Sequence, residues 1–156
     1  MKKLVLLLLA LPFILVACDD DDKVPDVDFD IAMSGGVSVD GTVYMVQGDT
    51  LDVESITVIA GSNVKKGVAI GGATYYWDYD IAGATVTQPF GYSFDTQYAR
   101  IGNHLLQIEC PVLAVDFAPA TAIVSYFVSI VDKKEDIPAG PVDQHTTVHP
   151  EIKAGK

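Results

Sequence analysis

The sequence predicts an all-β fold, an antiparallel sandwich or barrel. Three observations predict it. Apolar and polar residues alternate over many short segments, which is the period of a strand. Turn-forming residues interrupt these segments about every 8–12 residues. No window shows the period of an amphipathic helix. At 156 residues, the chain fits a single domain.

The first predicted strand occupies residues 26–33, where every second residue is apolar. Successive side chains of a strand point to opposite faces. Asp26, Asp28 and Asp30 therefore share one face, which we interpret as a solvated acidic surface. A calcium role for these carboxylates is the alternative.

Two features of the next segments refine the prediction. Asp40-Gly41 separates two short apolar runs, and both residues tolerate the positive φ of a tight hairpin turn. The alternation in residues 51–58 slips by one position at Glu54-Ser55, which predicts a β-bulge.

Two further strands are predicted late in the chain. Residues 106–112 alternate, and Pro111 restricts that strand to an edge or to a bulge at its end. Residues 121–131 are apolar at nearly every position, so we expect both faces of this strand to be covered.

The aromatic residues suggest a ligand site. In residues 75–80, one face carries Tyr75, Trp77 and Tyr79, which we assign to the core. The other face carries Tyr76, Asp78 and Asp80, and residues 90–94 supply a second aromatic row. An aromatic ring flanked by carboxylates can stack on a sugar and accept its hydrogen bonds. The candidate ligand-binding residues are Tyr76, Asp78, Asp80 and Tyr92. The alternative is that these rings simply cover the two sheets.

The charge balance excludes one class of partner. The chain has 10 basic and 21 acidic residues, a net charge of −11, and a single arginine. Binding to a phosphate backbone needs clustered Lys and Arg. We therefore expect no nucleic-acid partner.

The N-terminus has the pattern of an export signal. A basic start, Met1-Lys2-Lys3, precedes an apolar run over residues 4–16, which is too short to span a membrane. Leu15-Val16-Ala17-Cys18 then resembles the lipobox of bacterial lipoproteins. That resemblance implies a signal peptide over residues 1–17 and a lipid on Cys18. The alternative is an ordinary signal peptide with an incidental cysteine.

The next segment is strongly acidic. Four consecutive carboxylates repel one another and stay solvated, so residues 18–25 are predicted to be a disordered tether. The run also resembles the acidic export signal of Bacteroidetes surface lipoproteins. Its residues are Asp19, Asp20, Asp21, Asp22 and Lys23. The resemblance implies a lipid-anchored protein on the outer face of the outer membrane. A plain spacer would leave the protein on the periplasmic face.

The order of landmarks in the mature chain suggests a family. A Gly48-Asp49 turn precedes an aromatic strand with Trp77, and Gly102-Asn103 leads into a strand that contains Cys110. This order resembles immunoglobulin-like domains, and more narrowly the PKD-like domains of Bacteroidetes surface lipoproteins. The resemblance implies an immunoglobulin-like β-sandwich, which we place at residues 26–133. Residues 134–156 are predicted to be an extended C-terminal tail. With Cys18 acylated, Cys110 is a lone thiol, interpreted as a small buried hydrophobe.

The sequence lacks a recognisable catalytic constellation. His104 is interpreted as structural, and no phosphate-binding loop or nucleophile elbow occurs. His145 and His149 have a spacing seen in metal sites, but β-branched residues and Pro150 disfavour the required helix. We therefore predict no enzyme activity, no metal and no cofactor.

The leading functional hypothesis is a non-enzymatic, lipid-anchored binding or accessory module of the cell surface, in glycan capture or nutrient uptake. Its partners would be the membrane, through the N-terminal lipid, and a polysaccharide or an outer-membrane protein. The alternative is an adhesin-like structural subunit or spacer that pairs through strand edges.

Overall fold

The computed structural model describes residues 24–142 and 144–155, without the side chain of residue 144. The predicted signal peptide, Cys18 and the acidic run at residues 19–23 lie outside this range. Among the described residues, no helix is long and apolar enough to cross a membrane.

The described chain is all-β, as predicted. Its regular elements are twelve strands and one short 3-10 helix, Lys134–Asp136, between β10 and β11. The strands are β1 (Val27–Ser34), β2 (Val37–Val39), β3 (Thr42–Val46), β4 (Thr50–Ala60), β5 (Val68–Ile70), β6 (Ala73–Trp77), β7 (Asp80–Thr85), β8 (Tyr92–Asp95), β9 (Gly102–Ala114), β10 (Ala120–Val131), β11 (Gln144–Val148) and β12 (Glu151–Ala154).

The strands form two sheets with immunoglobulin-like order. The smaller sheet has the order β11-β1-β4-β8, and the larger has the order β2-β3-β10-β9-β6-β7. β12 also pairs with β10, and β5 with β9. β3 runs parallel to β10, while the other described pairs are antiparallel. In immunoglobulin terms, β1, β4 and β8 are strands A, B and E. Strands A′, G, F, C and C′ are β3, β10, β9, β6 and β7.

One core lies between the sheets. Phe29 and Ile31 from the smaller sheet, and Leu106, Ile108 and Ile130 from the larger, are buried almost completely. Burial of such side chains is the main stabilising contribution in a fold of this kind. Cys110 is also buried in this core, as predicted, and burial raises the pKa of its thiol to about 12.

The two predicted local irregularities are confirmed. Asp40 and Gly41 have φ values of 50° and 78° and connect β2 to β3 in a tight hairpin. In the pairing of β1 with β4, Ala32 lies opposite Ser55 and Met33 opposite Val53. Glu54 is therefore the extra residue of a bulge.

The aromatic strand ends earlier than the sequence suggests. Tyr75 is fully buried, but Trp77 is only partly buried, and Tyr79 is 78% exposed, so its assignment to the core is wrong. The reason is a two-residue turn, Asp78-Tyr79, in which both residues have positive φ. This turn connects β6 to β7 and ends the alternation on which the assignment depended.

Two expectations about the larger sheet are corrected. Pro111 lies inside the central strand β9, where β9 changes partner from β6 to β5. Its carbonyl accepts a hydrogen bond from Gly71 in the gap between them. On the outer face of β10, Ile123 is buried, but Phe127 is 64% exposed, so one face of this strand is only partly covered.

Residues 134–156 are predicted to be an extended tail outside the sandwich. In the structure, this C-terminal segment adds strands to both sheets. β11 pairs with β1, and β12 pairs with the first half of β10, whose second half pairs with β3. We call this side of the molecule the closed side. The opposite side, where β7 and β8 are the edge strands, is the open side. Residues at a sheet edge need no alternating pattern, so a period of two does not reveal these strands.

Candidate functional site

A cleft lies on the open side of the sandwich. It separates the β6–β7 hairpin of the larger sheet from β8 of the smaller sheet and has a volume of about 270 Å³. The residues that line it are Trp77, Ala82, Tyr92, Ser93, Phe94, Asp95, Thr96 and Ala99. It is slightly smaller than typical small-molecule sites of about 300–1,000 Å³, so it suits one ring of a ligand.

The wall of the cleft is aromatic. Tyr92 stacks on the buried Tyr75 with ring centroids 5.0 Å apart and contacts Phe94 edge to face at 4.8 Å. Trp77 packs against Phe94 at 5.5 Å. These contacts connect the two sheets. Trp77 and Tyr92 are only partly buried, so part of each ring borders the cleft.

The backbone of β7 fits closely against Tyr92. The Tyr92 hydroxyl donates a hydrogen bond to the carbonyl of Ala82, where the pairing of β6 with β7 shifts by one residue. A Cβ atom on Gly83 would lie 2.2 Å from a ring carbon of Tyr92. Position 83 therefore needs glycine, because any side chain would displace the ring.

Oxygen atoms surround the mouth of the cleft. Asp95 accepts a hydrogen bond from the backbone N–H of Gln97 at 2.8 Å, and the Ser93 hydroxyl donates to Asp52. Thr96 is buried and donates to the carbonyl of Asp49 at 2.7 Å, which fixes the start of the loop at residues 96–101. Along β8, Ser93 and Asp95 alternate with the inward-facing Tyr92 and Phe94, so their side chains lie at the rim of the cleft rather than on its aromatic wall.

A polar cluster lies behind Trp77. Asp78 accepts a hydrogen bond from the backbone N–H of Leu105 at 2.9 Å and contacts Nδ1 of His104 at 2.6 Å. Partial burial raises the pKa of Asp78, but these two hydrogen bonds outweigh it and hold the pKa below its ordinary value. Nε2 of His104 lies 2.7 Å from the carbonyl oxygen of Arg100.

The structure brings together only some of the predicted ligand-binding residues. Tyr92 lines the cleft. Asp80 pairs with Trp77 across the hairpin, so the side chains of Asp80 and Trp77 lie on the same face of the larger sheet. Tyr76 lies on the outer face of the larger sheet, where its hydroxyl donates to Glu109 at 3.2 Å. Burial and the neighbouring carboxylate of Glu109 raise the pKa of Tyr76. Asp78 is engaged with His104 rather than facing the cleft.

The sequence pattern does not identify several of the residues that line the cleft. The alternating pattern places Trp77 in the core and does not identify Ser93 or Asp95. The available signal is Asp78, a turn-favouring residue that directly follows an aromatic strand. A hairpin there leaves Trp77 at the end of its strand.

The other two histidines lie on the closed side. His145 contacts Asp30 at 3.2 Å, and His149 contacts Asp28 at 2.9 Å, so the predicted acidic face of β1 meets the C-terminal segment. Within residues 24–142 and 144–155, no group of three or more His, Cys, Asp or Glu side chains is arranged to hold a metal ion.

The fold and the cleft define an immunoglobulin-like β-sandwich with an aromatic cleft on its open side. Comparison of the sequence with protein-family models and with curated proteins finds no match. Among solved structures, the chain is similar to the fibronectin(III)-like modules of Clostridium thermocellum CbhA, with a TM-score of 0.42 and 16% identity. The alignment covers 69% of this chain and 47% of that chain, about half its length, and the likeness is one of fold.

Proposed function

We propose that this protein is a non-enzymatic, lipid-anchored binding module of the bacterial cell surface, whose open-side cleft holds one sugar ring of a neutral glycan. The observation that carries the proposal is the pair of partly buried rings, Trp77 and Tyr92, in one cleft whose rim includes Asp95. The anchor rests on Cys18 and on the acidic run that follows it.

The chemistry of the cleft favours a neutral, hydroxylated ligand. The C–H faces of a sugar can pack on the edges of Trp77 and Tyr92, as apolar groups do on aromatic rings. Its hydroxyl groups can donate to Asp95, and hydrogen bonds to charged groups contribute about 1.5–3 kcal/mol each. A net charge of −11 works against anionic glycans.

The cleft is tested by screening the full chain on a broad glycan array and measuring the affinity for any hit. Asp95→Asn should weaken binding about tenfold or more, because it removes a charged acceptor. Ala99→Leu should do the same by filling the cleft. Tyr76→Ala is the matched control, since Tyr76 lies on the outer face, and should leave affinity unchanged. An array without binding, or a loss of affinity in the control alone, would overturn the sugar proposal.

The anchor is tested separately. Cys18→Ala should move the protein out of the membrane fraction, while Cys110→Ala, at the other cysteine, should not. Replacement of Asp19–Asp22 by alanine should retain membrane association but reduce protease accessibility on intact cells. Unchanged fractionation of Cys18→Ala would exclude the anchor, and unchanged accessibility would favour a plain spacer.

One observation favours a second function, pairing through a strand edge. β7 is the edge strand of the larger sheet, residues 81–87 carry no charge, and Ile81 and Val86 are 70% and 81% exposed. Natural sheets usually protect such edges with charges. If this edge recruits another copy, Ile81→Lys should abolish oligomers seen by light scattering, while Phe127→Lys should not. A strictly monomeric wild-type protein at high concentration would exclude this function.

A further inference from the structure

His104 lies where three parts of the molecule meet. It is on the core-facing side of β9, near the start of the strand, and its side chain is only 9% exposed. Its ring lies against Trp77, with ring centroids 5.2 Å apart and an interplanar angle of 31°. The other contacts of Trp77 include Phe94, so Trp77 lies between His104 and the residues of the cleft.

Both ring nitrogens of His104 face acceptors. Nδ1 contacts a carboxylate oxygen of Asp78 at 2.6 Å, and Nε2 contacts the carbonyl oxygen of Arg100 at 2.7 Å. A backbone carbonyl cannot donate a hydrogen bond. Asp78 has no proton to donate at neutral pH, because its other oxygen accepts from Leu105 and its pKa is lowered.

The hydrogen-bond inventory therefore requires a proton on each ring nitrogen. A neutral imidazole has one N–H and one lone pair. Whichever nitrogen lost its proton would direct a lone pair at an oxygen less than 3 Å away, so that contact would become repulsive. Only the doubly protonated ring satisfies both contacts, and its positive charge also favours the face of Trp77.

We propose that His104, as an imidazolium, is a positioning residue that holds Trp77 and the 96–101 loop in place as walls of the open-side cleft. The groups that face its ring are the Asp78 carboxylate from the turn, the Arg100 carbonyl from the loop and Trp77 from β6. From β10, the uncharged Val128 lies opposite it in register. Loss of the proton releases Arg100 or Asp78 and loosens the wall at Ala99.

This inference concerns the cleft on which the proposed function rests, but its test needs no ligand. Trp77 is the single tryptophan of the chain, so tryptophan fluorescence reports on the surroundings of this one residue. A protonated imidazole against an indole quenches its emission more than a neutral one. We expect the fluorescence of the full chain to follow a single one-proton transition when the pH is raised from acid, with the emission rising as the imidazolium loses its proton.

Two variants identify the titrating group. His104→Gln should abolish the transition, because glutamine preserves a polar side chain but carries no titrating proton. The matched control is the double variant His145→Gln with His149→Gln, which removes the two closed-side imidazoles and should retain the transition. Hydrogen exchange of the 96–101 loop, measured at one pH, should be faster in His104→Gln than in the control. A transition that persists in His104→Gln, or equal exchange in both, would overturn the proposal.

A measurement on the wild-type chain covers the case in which His104→Gln does not fold. The ¹⁵N chemical shifts of the His104 ring should show two protonated nitrogens at neutral pH. A neutral tautomer under those conditions would overturn the proposal. Because none of these readouts requires a glycan, the absence of sugar binding would leave this inference standing.

Discussion

The two long sides of the sandwich differ in what lies along their sheet edges. On the closed side, β11 extends the smaller sheet beyond β1, and β12 and β3 together cover the free edge of β10. On the open side, the edge strands β7 and β8 flank an aromatic cleft instead. Both sides still end in edge strands, β11 and β2 on the closed side and β8 and β7 on the open side, so the aromatic cleft is what distinguishes the open side. The difference teaches that the open side is where a partner or ligand should be sought.

The largest effect should come from the core beneath the closed side. Ile31, on β1, is completely buried, so Ile31→Ala should reduce the free energy of unfolding by about 2–5 kcal/mol. Ile81→Ala makes the same deletion on the open edge, where the side chain is 70% exposed, and should change stability by less than ~0.5 kcal/mol. Denaturant unfolding measures both. Similar losses would contradict the assignment of these two strands to core and edge.

An intermediate effect is expected at the contact between β7 and Tyr92. Gly83→Ala places a Cβ atom 2.2 Å from the ring, so the ring or the strand must move. We expect a loss of about 1–3 kcal/mol, typical of overpacking. Gly71→Ala is the control, because its Cβ would meet only Pro111 at an ordinary 3.9 Å. Thermal unfolding of the two variants distinguishes them, and equal melting temperatures would argue against this packing.

The smallest effect should be the acid dependence of the 78–79 turn. The pKa of Asp78 is lowered in the folded state, so its contribution is complete above the ordinary Asp range and is lost as the pH falls through the folded pKa. Asp78→Asn should therefore destabilise the protein at neutral pH, by less than about 1 kcal/mol because the side chain is half exposed.

That difference should vanish in acid. Melting temperatures of Asp78→Asn and wild type, recorded at a series of pH values, should begin to converge below pH ~4 and should meet once the pH falls below the lowered folded pKa of Asp78. Asp40→Asn, in the other left-handed hairpin turn, serves as the control. A gap between Asp78→Asn and wild type that stays constant with pH would show that the carboxylate charge of Asp78 is not responsible.

Much of the fold could be predicted because it depends on local patterns. The period of two identified the strands, Asp40-Gly41 the hairpin, and the slip at Glu54 the bulge. The C-terminal strands β11 and β12 could not be predicted in the same way. β11 and β12 pair along edges through backbone hydrogen bonds, and each packs only one apolar residue, Val148 and Ile152, against the core, which is too little for an alternating pattern. Their partners in β1 and β10 are specified by the tertiary structure alone.

The candidate site was harder to predict because it is assembled across sheets. Tyr76 and Tyr92 are both aromatic residues near carboxylates in sequence, yet they lie on different faces. Trp77 and Phe94 meet only because β6 and β8 face each other across the core. The contact between Asp78 and His104 joins residues 26 positions apart. An alternating pattern within one strand cannot predict a contact at that separation.

The pairing of the C-terminal strand β11 with β1 also has a consequence for the kinetics of folding. The contacts of β11 and its neighbour His149 with β1 join residues 115 and 121 positions apart, near the greatest separations the described chain offers. Such distant contacts are slow to form, because the loop between them must first be closed. We therefore expect β11 to dock late, after β9 and β10 have paired. Until then the edge of β1 is unprotected, so the nascent chain is most prone to aggregation on the side that is best protected in the native state.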